Sequence, residues 1–187
     1  MALIAKDLHS PLPGALQQHF QRTEAALEEL LWDEPSGQYY SRDAFTKELI
    51  KVPTVATLLP LWSGTPSPAR AERLTELMQQ PNGFWPTYPV PSVPIDAPEF
   101  RAAGYWKGPT WVNMNWMIYE GLRNYHRTDR AQELRDRTLD LVARAGFSEY
   151  FSPLTGQGYG ADDFSWTAAL VIDLLQDESL RPTRMPE

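Results

Sequence analysis

The sequence predicts an all-α fold in one domain over residues 1–187. Apolar residues recur at the i, i+3, i+4 spacing of helices in about six stretches. Ser, Thr, Pro or Gly stand where those stretches start and stop. No long run alternates apolar and polar residues, and no short repeat is visible. Tight turns and long aromatic loops join the stretches, a pattern in which neighbouring helices pack antiparallel.

Met1 to Pro13 is a short lead-in with two prolines. Residues 14–32 form the first helix, with Leu16, Phe20, Ala26, Leu27, Leu30 and Leu31 on one side. Asp33-Glu34-Pro35-Ser36-Gly37 stops it, and residues 38–41 read as extended. Thr54 is placed to cap a short helix through Leu58, Leu59, Leu61 and Trp62, with Pro60 limiting its regularity. Ser67-Pro68 supplies an N-cap and first turn, Leu74, Leu77 and Met78 an apolar face, and Pro81-Asn82-Gly83 a stop. Residues 81–103 form a long Pro-rich loop, of the length that usually serves a function. Gly108-Pro109 predicts the start of a central helix to about Tyr125, apolar nearly all round and therefore buried. Thr128 is placed to cap the next helix and Gly146 to end it. Residues 147–151 are short and extended, residues 152–160 turn-rich, and a last helix runs from Ser165 to about Gln176. The tail around Arg181–Arg184 reads as frayed.

Composition excludes several classes of function. There are 24 acids against 17 bases, a net charge of −7, and no basic stripe, so nucleic acid is not an expected partner. Cysteine is absent, which removes disulfides and thiolate chemistry. His9, His19 and His126 have no metal-ligand spacing, and no metal or other cofactor is expected. No apolar run approaches the ~18 residues of a membrane span, and no signal-peptide pattern opens the chain. The expectation is a cytoplasmic protein without a membrane partner.

Chemistry concentrates at residues 104–116, where Trp106, Lys107, Gly108, Trp111, Asn113, Asn115 and Trp116 crowd a helix start. Aromatic faces beside hydrogen-bonding groups suit a sugar, whose CH groups stack on rings while its hydroxyls find donors and acceptors. The other reading of the same residues is a core helix with a Trp-rich beginning. Trp85 and Tyr88, in the Pro-rich loop, read as a wall over a pocket or as loop packing. Glu149, between Phe147, Tyr150 and Phe151, is a carboxylate in an apolar setting, as a general base requires; a surface glutamate is the plainer alternative. Asp162 and Asp163 read as charges at a helix start. Asp96 and Glu99 are weaker candidates for chemistry.

These residues carry a resemblance. Gly104 to Trp116 is similar to the Tyr-Trp-Arg-Gly-Pro-x-Trp-x-Asn-x-Asn-Trp signature of glycoside hydrolase family 63, whose relatives include mannosylglycerate and glucosylglycerate hydrolases and, more distantly, trehalases. Glu149-Tyr150 with Phe151-Ser152-Pro153-Leu154-Thr155-Gly156 resembles that family's Glu-Tyr-x-x-Pro-x-Thr-Gly segment. Asp163 to Leu170 resembles the approach to its last helix. Leu58 to Trp62 and Asp33 to Gly37 also have counterparts, all in family order from about residue 20 to residue 177.

The resemblance implies an (α/α)6 toroid around a sugar pocket, of which this chain is the C-terminal half, and hydrolysis of α-glycosidic bonds with inversion. It implies Glu149 as general base and a substrate site of Trp106, Lys107, Gly108, Trp111 and Asn113, closed by Trp166, with Tyr88 and Trp85 from the Pro-rich loop. Lys107 stands where the family has Arg, so a planar fork becomes a point charge. The family's general-acid Asp precedes the segment matching residue 20 and has no counterpart in this sequence. A half-toroid exposes apolar faces, so the implied partners are a small saccharide or glycoside and either an N-terminal half-barrel chain or a second copy. The alternatives are a non-catalytic carbohydrate-binding module and a self-associating structural half-barrel.

Overall fold

In a computed structural model of the chain, His9, Pro11 and residues 13–176 are described. Most of the lead-in and the tail Arg181–Arg184 lie outside them. The elements are α1 (Gly14–Leu30), β1 (Trp32–Asp33), β2 (Gln38–Tyr39), β3 (Ser41–Arg42), β4 (Leu49–Ile50), a 3-10 turn (Val55–Leu58), α2 (Pro60–Ser63), α3 (Pro68–Met78), α4 (Val112–Asn124), α5 (Thr128–Ala145), β5 (Tyr150–Phe151), β6 (Gly158–Tyr159) and α6 (Ser165–Gln176). Helices dominate the described residues. The strands are two-residue antiparallel ribbons, β1 with β2, β3 with β4 and β5 with β6.

The core is built around one helix, α4. α2 and α6 both pack on α4, whose other main neighbour is α5; α3 backs onto the 3-10 turn. Leu58, Leu61, Leu74, Met78, Phe84, Ile118, Tyr119, Leu122 and Leu134 form the main cluster, and Val112, Leu141, Val142, Phe151 and Val171 a second one. No residue from Val112 to Arg123 is exposed, as expected for a helix with little polar surface.

The connections alternate in length. Residues 64–67 and 125–127 are short, whereas residues 31–54, 79–111 and 146–164 are long, and each long one feeds α2, α4 or α6. Hydrogen bonds link the long ones in series. Ser92 O accepts from Val55 N–H (3.0 Å), and Thr110 exchanges both backbone bonds with Phe151 (2.8 and 2.9 Å).

Several boundaries depart from expectation. The central helix begins at Val112 and not at Pro109, because Pro109 to Trp111 are extended: Pro109 O is taken by Ser92 N–H and Thr110 by Phe151. A tertiary ladder overrides the local Gly-Pro signal. The first helix ends at Leu30, since Trp32–Asp33 pair with Gln38–Tyr39 and the Trp32 ring lies under the guanidinium groups of Arg70 and Arg73. Thr128 is the first residue of α5 and not its cap, and neither Thr54 nor Arg127 makes a side-chain capping bond. Ser67 does cap α3, accepting from Arg70 N–H at 3.3 Å, with Pro68 in the first turn. The β3–β4 ribbon had no sequence signal. Asp43 shapes its tip by accepting from Phe45 and Thr46 N–H (2.8 Å each).

Two helices, α1 and α6, are left largely uncovered. α1 contains no buried residue, although Leu16, Phe20 and Leu27 lie half-covered on one side. α6 buries Thr167, Val171 and Leu174 but leaves Trp166, Ile172 and Leu175 more than half exposed. No helix among the described residues is long and apolar enough to cross a membrane.

Candidate functional site

The long connections 79–111 and 146–164 build the site. The Thr110–Phe151 bridge sets their register, which brings the next residue of one loop, Trp111, against the preceding residue of the other, Tyr150. Their rings stack at 5.1 Å and 23°. Trp106 stacks on Trp111 at 3.9 Å and 3°, and Tyr150 stacks on Tyr159 across the β5–β6 ribbon at 5.9 Å and 29°. Tyr105 stands edge-on to Trp106, Trp111 and Tyr150. Parallel and edge-on ring pairs are both favourable arrangements of aromatic quadrupoles. The result is a ladder of four parallel rings with a fifth along its side.

Exposure divides the roles within the ladder. Trp111 is only 2% exposed, and its indole N–H donates to Tyr105 O at 3.1 Å. It is the support. Trp106, 40% exposed, and Tyr105, 49% exposed, are the rings of the ladder that reach the surface. Gly108 makes the turn behind Trp106. Its φ is +151°, and a Cβ there would collide with the Arg101 carbonyl, while its N–H donates to Ser92 Oγ at 2.9 Å. Gly108→Ala is therefore expected to destabilise the fold by about 1–3 kcal/mol. Urea unfolding measures that loss, and a blue-to-red shift of Trp emission in the folded state reports displacement of Trp106.

Glu149 lies directly before β5 and is half-buried. Its Oε2 accepts from Ala161 N–H at 3.2 Å. The bare α-carbon of Gly160 lies against both Glu149 and Tyr150: a Cβ placed there would be 2.5 Å from Glu149 Oε2 and 2.8 Å from the Tyr150 ring. The carboxylate and the ladder thus meet at one point. Ser148 anchors the segment from behind, its carbonyl accepting from Thr167 Oγ1 at 2.9 Å, and Phe147 O accepts from Phe164 N–H at 2.7 Å.

The other candidates separate. Asn113, in the first turn of α4, is half-buried, and its Oδ1 is buried without a hydrogen-bond partner among the described residues. Lys107 is exposed on the Trp106 turn. Trp166, at the start of α6, is 55% exposed and touches Phe164. Tyr88 packs on the second core cluster and borders an open groove with Arg144, Ser148 and Gly156. Trp85 belongs to the main core: its indole N–H donates to Glu133 at 3.3 Å and Arg137 lies over its ring. The structure does not join it to the ladder. Asn115 is not a free carboxamide either. It is 1% exposed and spans the Pro-rich loop, donating to Pro89 O (2.7 Å) and Thr138 Oγ1 (2.9 Å) and accepting from Val90 N–H (2.8 Å). Tyr105, Tyr150 and Tyr159 are ladder residues that were not singled out from the sequence. The only signal for them was the density of Tyr and Trp beside the two glycine-rich turns.

Comparisons with known proteins agree with one another. The family described as the mannosylglycerate hydrolase MGH1-like glycoside hydrolase domain matches residues 1–167. A mannosylglycerate hydrolase of Thermus thermophilus is 42% identical over 160 residues, covering 86% of this chain and 38% of that protein. A glucosylglycerate hydrolase of Mycolicibacterium hassiacum is 29% identical over 76% of this chain. The solved structure of a family 63 mannosylglycerate hydrolase from Thermus thermophilus, in complex with glucose, superposes with a TM-score of 0.83 and 40% identity, covering 91% of this chain and 43% of that one. Yeast neutral trehalase, 16% identical with a TM-score of 0.63, shares the fold alone. These likenesses give the (α/α)6 barrel as the fold, of which this chain forms a part. The chain spans 38% of the length of the first of these relatives.

Proposed function

The chain belongs to the mannosylglycerate hydrolase MGH1-like glycoside hydrolase domains, and we propose that it is the base-bearing C-terminal half of an inverting α-glycosidase barrel, a single all-α domain acting on small glycosides such as mannosylglycerate or glucosylglycerate. The observation that carries this reading is the meeting of Glu149 with the aromatic ladder at Gly160. The exposed face of Trp106 takes the sugar ring. The half-buried Asn113 side chain and the exposed Lys107 serve its hydroxyls, the Gly108 turn sets the edge of the site, and Trp166 closes it from α6.

Glu149 then acts as general base. It removes a proton from a water that attacks the anomeric carbon on the face opposite the leaving group. Inversion needs a second carboxyl to protonate the leaving oxygen, ~6.5–9.5 Å away, with the water between them. We assign that acid to the part of the barrel that this chain does not match. The same part, or a second copy of this chain, covers the apolar faces of α1 and α6.

An α-mannosyl or α-glucosyl fluoride tests this reading on the chain as it stands, because fluoride departs without protonation and the missing acid is not needed. The expected result is turnover giving the β-anomer first, followed by NMR before mutarotation. Saccharide quenching of tryptophan fluorescence without turnover would instead favour a carbohydrate-binding module. Neither binding nor turnover would favour a structural half-barrel.

A further inference from the structure

The start of α6 grips the segment that carries Glu149. Thr167 is 2% exposed, and its Oγ1 donates to Ser148 O at 2.9 Å. The other buried helical threonines behave differently. Thr75 in α3 and Thr138 in α5 each donate to the carbonyl four residues before them, at 2.8 and 2.7 Å. Four residues before Thr167 stands Asp163, outside the helix and with a φ of +51°. The Thr167 hydroxyl reaches instead to a carbonyl nineteen residues away. Next to it, Phe147 O accepts from Phe164 N–H at 2.7 Å. The two carbonyls that precede Glu149 are thus both held by the approach to α6. The far side of the segment is attached as well, since Phe151 shares a core cluster with Val171. Thr167, Val171 and Leu174 are the buried stripe of α6. Glu149 therefore stands between two attachments to one helix.

A general base must stand within hydrogen-bond reach of its water, and a displacement of about 1 Å can cost about a hundredfold in rate. Among the described residues, the Glu149 carboxylate accepts from Ala161 N–H alone, at 3.2 Å. Its aim therefore depends on where its backbone is fixed. We propose that Thr167 is a positioning residue for Glu149: its hydroxyl, carried on the first turn of α6, fixes the Ser148–Glu149 peptide and through it the aim of the carboxylate at the attacking water. This rests on the reading of Glu149 as general base. A helix is a stiffer mount for such a group than a loop, and a buried donor on its first turn passes that stiffness to the neighbouring connection.

The test compares Thr167→Val, which keeps the shape and removes the hydroxyl, and Thr167→Ser, which keeps the hydroxyl, with the unchanged full chain. Each protein is given α-mannosyl fluoride, in water and with sodium azide. Azide attacks without giving up a proton, so it needs the site but not the base. In Thr167→Val, kcat for hydrolysis is expected to fall about ten- to a hundredfold with KM unchanged, the scale of a misplaced base. Formation of β-mannosyl azide by the same protein stays at the level of the unchanged chain, and Thr167→Ser restores hydrolysis. A second readout, amide exchange followed by NMR, needs no turnover. The Ala161 amide, bonded to Glu149, exchanges faster in Thr167→Val, while the Thr110 and Phe151 amides of the bridge keep their rates. Where the valine variant does not fold, Thr167→Cys, which keeps a weak donor, takes its place. Hydrolysis equal in Thr167→Val and the unchanged chain would overturn the proposal. So would hydrolysis and azide transfer falling together, since the whole site would then have been disturbed. An unchanged chain that turns over in neither condition removes the base reading. Unaltered Ala161 exchange would then overturn the hold of Thr167 on Glu149 as well, and faster exchange would leave that hold standing.

Discussion

Glu149→Gln is expected to lower the hydrolysis of α-mannosyl fluoride by about two to four orders of magnitude, the usual contribution of one general base. The substitution isolates the chemistry from the structure. Gln keeps the length of Glu and one carbonyl oxygen, so the bond from Ala161 N–H at 3.2 Å and the contact with Gly160 persist. What disappears is the capacity to take a proton from water. Urea unfolding should therefore move by less than about 1 kcal/mol, as for replacing a half-buried, singly bonded group. Sodium azide sharpens the test, because it attacks without deprotonation. In the Glu149→Gln protein it should restore turnover and give a β-glycosyl azide. Undiminished turnover of the fluoride would remove Glu149 from the base role and shift attention to Asp162 and Asp163, both exposed in the same connection.

Much of this arrangement is legible in the sequence, and the part that is not has a common cause. Helix positions follow from local patterns, so α1, α3, α5 and α6 stand within a few residues of expectation. Glu149 and Trp106 are visible because their neighbours are unusual. The helix start at Val112 is hidden because Gly108-Pro109 is a local signal, and what keeps Thr110 extended is Phe151, on a distant loop. The same bridge makes the ladder: Trp111 and Tyr150 stack only once the two loops are in register. Trp85 and Trp106 look alike in sequence, each a tryptophan in a loop near proline or glycine. Only Glu133 and Arg137, on another helix, identify Trp85 as part of the core. The exposed faces of α1 and α6 belong to the same class of fact. Periodicity says that a helix has an apolar side, not what covers it.

Trp111→Ala and Trp106→Ala are expected to separate support from platform, and the first carries the larger stability effect of the two. Trp111 is fully enclosed, stacked on both faces and bonded through its indole N–H. Truncating it removes a large buried side chain and leaves the Tyr105 carbonyl without its donor, at a cost of about 3–5 kcal/mol. Trp106 has one face on Trp111 and the other open. Its loss costs about 0.5–1.5 kcal/mol, the value of a single ring pair. Binding should run the other way. Trp106→Ala, still folded, should bind mannose about two- to tenfold more weakly, the scale of one lost stacking contact. Trp111→Phe, which keeps a ring between Trp106 and Tyr150, should recover most of the stability and most of the binding. A Trp106→Ala protein that binds mannose as tightly as the unchanged chain would mean that the tryptophans of this loop serve packing alone, the alternative that composition had left open.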